Sequence, residues 1–394
     1  MVLSADERDE LRRVVRNLLL HESPADRVRA VIGQAPGFDR ALWDQMVELG
    51  WASIHVPSRF GGGGAGYSEL AVVLHELGRA IVPAPFLANA VLATSACLLS
   101  DNDAIADEWL ESLVTGATRG SAALANADGS YDSSRLTTRW EPARGSVRLR
   151  GAAGFVLDAD LADLLVVAAC DGGSNPAVVL VDAAAPGVRI ERVRTVDATR
   201  RLFTVTFTDV VVDEERMLCE PGVAAELLLD RMLAVGVVAA ACDATGATEH
   251  VLERTTQYAK ERSQFGKPIG SFQAVKHHCA NMAIAVEASR AAVSAAAGAL
   301  DGDPAEWPTN AAVTSSYVGP ACSEACALGL RVHGGIGFTW EHDSHLYLKR
   351  AKLDEVLFGT PSWHRRRLAR TLVSRVVGSR DAESPSEASE GKLS

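Results

Sequence analysis

Apolar residues in the first third of the chain recur at helical spacing. They lie three or four positions apart in residues 11–19 and again in residues 42–49. Residues 68–81 form a third run in which polar positions separate the apolar ones. Because side chains three and four apart share one face of an α-helix, this pattern predicts helices that pack on one another. We therefore expect an N-terminal helical domain over residues 1–118.

The periodicity becomes strand-like between residues 119 and 215. Short alternating or β-branched runs occupy residues 146–149, 164–169, 177–181, 203–207 and 210–212. Clusters of glycine, aspartate and proline separate these runs, as is typical of half-buried strands joined by turns. The pattern predicts a middle antiparallel β-domain, built as a small barrel or sandwich.

The helical pattern returns over residues 216–378. Alanine dominates several helix faces here, as in residues 280–300. Because such faces let long helices pack closely, we expect a C-terminal four-helix bundle. The last residues, 379–394, are rich in serine and glutamate and are predicted to be a disordered tail. The predicted fold class is α+β, with a helical domain, a β-domain and a bundle in consecutive order.

Composition and charge narrow the class of protein. The formal net charge of -11 argues against nucleic acid or an anionic membrane as the main partner. Seven cysteines without a CxxC pair indicate buried thiols in a reducing compartment. The N-terminus is charged and has no apolar signal region, and apolar stretches such as residues 232–241 are too short to span a bilayer. A cytoplasmic protein without membrane insertion is expected.

Two local patterns resemble ligand sites, but their spacing does not support that interpretation. Residues 60–66, FGGGGAG, lack the GxGxxG spacing and the Lys-Ser/Thr ending of phosphate loops, so a tight turn is favoured. His277 and His278 are adjacent and point ~100° apart on a helix, so they do not share one ligand site easily. The sequence predicts no metal site.

The most informative segment is residues 258–278, YAKERSQFGKPIGSFQAVKHH. It joins two long alanine-rich helical patterns through a turn, and Arg262, Gln264 and Phe265 lie at the exit of the first helix. A guanidinium at such a position can bind a pyrophosphate in bidentate fashion. A second segment, residues 331–352, contains the glycine-rich run HGGIG, where the backbone can approach a ligand closely.

These two segments, with residues 49–66, 75–85 and 151–169, resemble the acyl-CoA dehydrogenase family in the same order. The resemblance implies that FAD lies between the β-domain and the bundle, and that subunits assemble as a dimer of dimers. It also implies an acyl-CoA substrate and an electron-transfer flavoprotein as acceptor. The resemblance further implies that Arg262, Gln264 and Phe265 reach the FAD of a neighbouring subunit. The other residues implied to bind the cofactor are Gln273, Arg331, Gly334, Gly335 and Gly337.

The chain departs from the family at the catalytic base. In the family, a carboxylate takes a proton from Cα of the thioester while a hydride leaves Cβ for the flavin. Phe358 stands at the common position of that glutamate, and Gly236, twenty-six residues before Arg262, stands at the alternative position. The flavin-ring contacts are also altered, because residues 123–134 and 155–158 lack the family's usual runs.

Three hypotheses follow for α,β-dehydrogenation of an acyl-CoA. In the first, the chain is the subunit without a base in a heteromeric α2β2 dehydrogenase. In the second, it is a self-sufficient homotetramer with an atypical base. In the third, it is a scaffold that binds acyl-CoA or a partner without redox chemistry. Asp354 and Glu355 are the candidates for an atypical base, because they precede Phe358 by four and three residues. The remaining, weaker candidates are Asp158, Asp230 and Glu253.

Overall fold

The chain folds into helices, then a sheet, then helices. The computed structural model describes residues 3–382, with side chains for all of these except 134 and 374–382. Within this part of the chain, six α-helices precede an eight-stranded sheet and five α-helices follow it. This order confirms the predicted α+β fold class.

Amphipathic helices with polar caps build the N-terminal part. The first helix begins after Ser4, whose Oγ accepts the N–H of Glu7, while the Glu7 carboxylate accepts the N–H of Ser4 at 2.8 Å. A π-helical segment, Leu87–Ala93, leads into the fifth helix. The helices are α1 (Ala5–Glu22), α2 (Ala25–Ile32), α3 (Arg40–Glu48), α4 (Tyr67–Arg79), α5 (Thr94–Leu98) and α6 (Asp103–Val114).

The glycine-rich loop at residues 60–66 is a tight turn, as the sequence predicts. The amides of residues 63–65 donate to carbonyls of residues 53–56. A Cβ on Gly62 would lie 2.2 Å from the carbonyl oxygen of Val56, so a larger residue does not fit. Because these amides are already bonded within the chain, they are not available to cradle a phosphate.

The strands form one mixed sheet with the order β1-β5-β3-β4-β8-β7, in which β6 lies beside β5 and β2 beside β4. The strands are β1 (Gly120–Ala123), β2 (Ala125–Asn126), β3 (Arg139–Ala143), β4 (Ser146–Leu157), β5 (Leu164–Cys170), β6 (Pro176–Asp182), β7 (Val188–Val193) and β8 (Leu202–Asp213). Most neighbours are antiparallel, but β1 runs parallel to β5. The parallel pairing of β1 with β5 corrects the expectation of a purely antiparallel domain. The long connection through β2, β3 and β4 makes this pairing possible.

Strand β5 separates two hydrophobic cores. Leu164 and Val166 pack into the large core shared with the helices, whereas Leu165 and Val167 pack into the core enclosed by the sheet. Since both faces are buried, the strand reads as a continuous apolar run without alternation. The sheet is thereby fixed against the N-terminal helices and the bundle.

Three long helices dominate the C-terminal part. Their close approach to the N-terminal helices depends on glycine, because a Cβ on Gly246 would lie 1.9 Å from the carbonyl oxygen of His75. A two-stranded turn, β9 (Ser263–Gln264) and β10 (Lys267–Pro268), joins the first two of these helices. The helices are α7 (Val223–Glu261), α8 (Gln273–Leu300), α9 (Trp307–His333), α10 (Ser344–Asp354) and α11 (Pro361–Ala382).

Helix α11 runs to Ala382, four residues into the segment predicted to be disordered. The rest of that segment, residues 383–394, lies outside the described residues.

We expected no apolar segment long enough to cross a bilayer, but helix α8 has the required length. By length and composition alone, it is the one described helix that could do so. Core helices of soluble proteins pass the same test, and α8 packs along its buried side against α7 and α9. Its length and composition are therefore weak evidence for a membrane span.

A helix cap joins the N-terminal part to the bundle. Helix α4 follows Gly66, which has no side chain to cap its first turn. Asp301, at the end of α8, takes that role, because its carboxylate accepts the N–H groups of Tyr67 at 2.6 Å and Ser68 at 3.0 Å. The Ser68 hydroxyl donates to the same carboxylate at 2.6 Å. The carboxylate thus satisfies helix amides more than 230 residues away in the chain.

We expect Asp301→Ala to lower the free energy of unfolding by about 1–2 kcal/mol, the usual effect of removing a helix cap. Thermal unfolding followed by circular dichroism measures the change. Asp303→Ala is the matched control, because Asp303 caps only a local turn through the N–H of Ala305. Equal losses in the two variants would show that the cap between the domains adds no stability.

Candidate functional site

Phe358 and Gly236, where the family resemblance leads us to expect a base, lie in contact. The ring of Phe358 is only 3% exposed, and a Cβ added to Gly236 would lie 3.0 Å from three of its ring carbons. The phenyl ring therefore fills the space in front of the glycine. Neither side chain can accept a proton.

The backbone of Phe358 is clamped from two domains. Its φ angle of 64° lies in the left-handed region, which is unfavourable for a bulky side chain. The Phe358 N–H donates to the hydroxyl of Tyr131 at 3.3 Å, and the Phe358 carbonyl accepts from Nε2 of His364 at 3.0 Å. The Tyr131 ring also lies 6.2 Å from the Phe358 ring, centroid to centroid. These contacts hold the strained residue in place.

Both clamping side chains are neutral around pH 7. Burial raises the pKa of Tyr131 to about 12, so its hydroxyl stays protonated. Burial lowers the pKa of His364 to about 4, although the bond to the Phe358 carbonyl opposes this shift. Because a carbonyl only accepts hydrogen bonds, Nε2 of His364 must carry the ring proton. The region around Phe358 therefore contains no charge from these two residues.

Asp354, a candidate for an atypical base, belongs to a buried cluster of four charges. Arg350 donates to both carboxylate oxygens of Asp243, at 2.8 and 2.9 Å. Arg200 bridges the two acids, with Nη2 at 3.1 Å from Asp243 and Nε at 3.1 Å from Asp354. Oδ2 of Asp354 is buried without a hydrogen-bond partner among the described residues. The cluster joins α7, α10 and the segment before β8.

The pKa values of the two acids in this cluster shift in opposite directions. Burial opposes ionisation of Asp243, but Arg350 and Arg200 outweigh it and lower its pKa. Burial raises the pKa of Asp354 well above its usual range, and the neighbouring Asp243 charge adds to the shift. Asp354 also faces a cavity of only about 10 Å³, room for one water and not for a thioester.

The other candidate carboxylates are each held by a cation. The pairs are Glu355 with Lys352 at 2.9 Å, Asp158 with Arg201 at 3.1 Å, Glu253 with Arg79 at 2.7 Å, and Asp230 with Arg367. Of these four, Asp158 is buried, and burial raises its pKa although Arg201 opposes the shift. None of these pairs includes Phe358 or Gly236.

A second cluster of predicted site residues lies at the opposite end of α7. Arg262 and Gln264 are exposed, and Phe265 is 91% exposed with a φ angle of 53°. The Arg262 guanidinium forms no ion pair with any described side chain. Gln273 opens α8 beside them and bonds to the ring of His277 at 3.0 Å. This exposed guanidinium is free to bind an anion on another subunit.

The glycine-rich segment after α9 lies at the same end of the bundle. Tyr258, near the end of α7, stacks on His333, at the end of α9, with ring centroids 4.6 Å apart. Gly334 has a φ angle of 68°, and a Cβ on it or on Gly335 would meet no atom within 4 Å, so both face open space. Gly337 is buried instead, where a Cβ would lie 2.9 Å from a backbone oxygen.

Arg331, at the last turn of α9, is exposed, and its nearest carboxylate is that of Glu324 at 3.6 Å.

The length of α7 separates the end that carries Arg262 from Phe358. Twenty-six residues lie between Gly236 and Arg262, and at 1.5 Å per residue they span about 39 Å. The Arg262 end and Phe358 therefore belong to different sites.

The residues at the Arg262 end fit the polar part of FAD. An exposed guanidinium without an ion pair and open glycines suit phosphates and adenosine. At the other end, Phe358 fills the space directly over Gly236.

Sequence reasoning missed Tyr131, His364 and the two cluster arginines, Arg200 and Arg350. No local pattern marks Tyr131, Arg200 and Arg350, because each acts through a partner that is distant in the chain, whereas His364 binds a carbonyl only six residues away. In the described residues, no group of three or more histidine, cysteine, aspartate or glutamate side chains could hold a metal ion.

Comparison with known proteins covers most of the chain. The family model for the acyl-CoA dehydrogenase N-terminal domain matches residues 5–117, and that for the C-terminal domain matches residues 227–373. Acyl-CoA dehydrogenase IpdE2 of Mycobacterium tuberculosis is 34% identical over 367 residues, which are 92% of this chain and 96% of that protein.

Two solved structures share the whole fold. A variant of the Tcur3481-Tcur3483 steroid ACAD has a TM-score of 0.85 and 29% identity, covering 94% of this chain and 99% of that chain. The ChsE4-ChsE5 complex from Mycobacterium tuberculosis has a TM-score of 0.84 and 27% identity, covering 98% of this chain and 99% of that chain.

The two acids of the buried cluster should respond differently to substitution. Asp243→Asn leaves Arg350 and Arg200 without their shared anion and should cost about 3–5 kcal/mol of stability. Asp354→Asn should cost less, about 1 kcal/mol, because burial already disfavours the charged form of Asp354 and the neutral amide can still accept from Arg200. Thermal unfolding measures both losses, and equal destabilisation would contradict the opposite pKa shifts of the two acids.

Stability should fall as the pH is lowered from 6.5 to 4. The pKa of His364 is about 4 in the folded chain and 6.5 when unfolded, so the unfolded state binds more protons in this window. The stabilisation, roughly 3 kcal/mol from the shift, is complete above pH 6.5 and is lost as the pH approaches 4. His364→Gln keeps a hydrogen-bond donor but cannot titrate, so the free energy of unfolding of this variant should fall less over the same pH range. His277→Gln, at an exposed site, is the control and should behave like the wild type.

Proposed function

Because this chain belongs to the acyl-CoA dehydrogenase family of FAD-dependent oxidoreductases acting on CH–CH bonds, we propose that it is the subunit without a catalytic base in a heteromeric enzyme. One observation carries the proposal. Phe358 and Gly236, the two positions where a base is expected, are packed against each other. A partner subunit must then supply the carboxylate that removes the proton from Cα of the acyl thioester.

The contribution of this chain is structural support for the partner's site. When bound, FAD accepts the hydride from Cβ of the thioester. Arg262 offers a guanidinium to the pyrophosphate of that FAD, and Gln264, Phe265 and Gln273 stand beside it. The glycine-rich segment gives the adenosine end an open backbone surface. Phe358 meanwhile excludes water and substrate from this chain's own equivalent of the site.

The relatives support a heteromer and suggest a bulky substrate. The names of two of the similar structures each join two different proteins, and one of them is called a steroid ACAD. We extend both properties to this chain: a cytoplasmic α2β2 tetramer that oxidises a steroid-derived or similarly bulky acyl-CoA. Electrons would pass to an electron-transfer flavoprotein, as the family resemblance implies.

A self-sufficient enzyme that uses Asp354 is the second candidate. The raised pKa of Asp354 and its unpartnered oxygen favour it, since an acid tuned upward by burial can serve as a base. The ion pair with Arg200 and the small adjoining cavity oppose it. Activity of the chain alone that is abolished by Asp354→Asn would support this candidate over the heteromer.

The test is co-expression with a homologous chain that has glutamate at its base position. Alone, this chain should contain little FAD and should not oxidise acyl-CoA with an artificial electron acceptor. The co-purified complex should contain FAD and be active. About one FAD per chain together with activity in the isolated protein would overturn the heteromer proposal.

In the complex, Arg262→Ala should lower the FAD content at least fivefold, because the buried pyrophosphate would lose its bidentate donor. FAD released by denaturation is measured by its absorbance. Lys260→Ala, an exposed charge two residues away, is the matched control and should leave the FAD content unchanged. Equal FAD content in the complexes with wild-type and Arg262→Ala chains would remove Arg262 from the cofactor site.

A further inference from the structure

The contact between α4 and α7 contains a buried imidazole between two carboxylates. His75 lies on α4, and its Nδ1 is 3.3 Å from Oε1 of Glu76. Its Nε2 is 3.0 Å from Oε2 of Glu249 on α7, and these two atoms are buried without another hydrogen-bond partner among the described residues. Because an ionised carboxylate only accepts hydrogen bonds, the ring can donate to both only when each nitrogen carries a proton. The geometry therefore suits the imidazolium form.

The charges around this imidazole balance only when the ring is protonated. Arg16, from α1, donates to both carboxylate oxygens of Glu76 at 2.8 Å. Arg79, on α4, lies 3.1 Å from Glu249 and 2.7 Å from Glu253. Two guanidiniums thus face three carboxylates, and the imidazolium makes the numbers of positive and negative charges equal. Without its proton, a negative charge would remain uncompensated in a partly buried cluster.

A cavity of about 840 Å³ between α1, α4, α7 and α8 gives solvent access to this ring, since His75 and Glu249 both line it. Exposed residues such as Asp9 and Arg290 also line the cavity, so protons can reach the imidazole from solvent. The other charged side chains along the cavity are each held in an ion pair and leave the charge balance unchanged. These pairs are Arg8 with Glu69 at 2.9 Å, Arg12 with Asp9, and Arg290 with Glu287 at 3.2 Å.

The backbones of α4 and α7 touch beside the ring. A Cβ on Gly246 would lie 1.9 Å from the carbonyl oxygen of His75, and a Cβ on Gly78 would lie 2.1 Å from the carbonyl oxygen of Asp243. Helices packed this closely leave no space for a side chain between their backbones. A change in the charge of the ring therefore acts directly on the contact between the N-terminal helices and the bundle.

We propose that His75 is a proton-operated clamp between α4 and α7. With both ring nitrogens protonated, it joins Glu76 to Glu249 and strengthens the contact between the two helices. After loss of one proton, a ring nitrogen faces a carboxylate without a hydrogen, and the contact loosens. The clamp concerns this chain by itself and does not rest on the proposed function.

The direction of the pH dependence follows from the surroundings of the ring. Burial disfavours the charged imidazole, but the hydrogen bonds with Glu249 and Glu76 outweigh burial and raise the pKa of His75 above its ordinary value of 6.5. The closed contact therefore binds the proton more tightly than an opened one does. The stabilisation is complete below pH 6.5 and is lost as the pH rises through the pKa of the folded chain.

Hydrogen exchange of the full-length chain, followed by mass spectrometry from pH 6.5 to 8.5, tests the clamp. After correction for the intrinsic pH dependence of exchange, the amides of α4 and of residues 246–253 should lose protection severalfold in the wild type as the pH rises. In His75→Gln the corrected rates should change little over this range, because glutamine does not titrate. His277→Gln, at an exposed site, is the matched control and should follow the wild type.

Two glutamate variants supply a second measurement. Glu249→Gln removes the charge beside Nε2, so the loss of protection should be smaller and complete at a lower pH. Glu253→Gln is its matched control, because Glu253 lies one turn farther along α7 and pairs with Arg79; its profile should stay closer to that of the wild type. Parallel pH profiles of the wild type and His75→Gln would overturn the clamp, and so would equal profiles of the two glutamate variants. If His75→Gln does not fold, the comparison of the glutamate variants alone decides.

Discussion

The ion pair between Arg350 and Asp243 fixes the position of α10 along α7, and the contact between Phe358 and Gly236 depends on that position. It fixes α10 against α7 with two short bonds in a buried environment. Phe358 lies eight residues beyond Arg350, and Gly236 lies seven residues before Asp243 on the same face of α7. With the pair in place, the chain after α10 arrives directly over Gly236. The contact between Phe358 and Gly236 thus depends on a charge pair two helical turns away.

The length and rigidity of α7 divide the molecule into two ends with different properties. One end carries Phe358 and is tied to the β-domain by Tyr131. The other ends in the exposed turn with Arg262 and Phe265. The helix keeps these ends about 39 Å apart. This asymmetry agrees with the proposal that the exposed end completes the site of a neighbouring subunit.

Periodicity along the chain was enough to predict the helices and the order of domains, because amphipathic faces are local properties. It was not enough for the sheet: the runs predicted at residues 203–207 and 210–212 are one strand, β8, which continues through Asp209 at a φ angle of 53°. The same limit applies to Asp301 and Tyr131, whose partners lie more than 220 residues away. The exposure of Arg262 at the end of a helix could be predicted, because it depends on the local sequence; its role toward FAD stays a prediction.

Several features of the structure agree with the proposal that this chain lacks a base. Arg200 and Arg350 are already bound to Asp243 and Asp354. A carboxylate placed over Gly236 would be buried beside a neutral histidine and a neutral tyrosine. The φ angle of 64° at Phe358 is unfavourable for a bulky side chain, yet the contacts with Tyr131 and His364 hold it there. Burial and backbone strain together support our proposal that this end of the chain has a structural role.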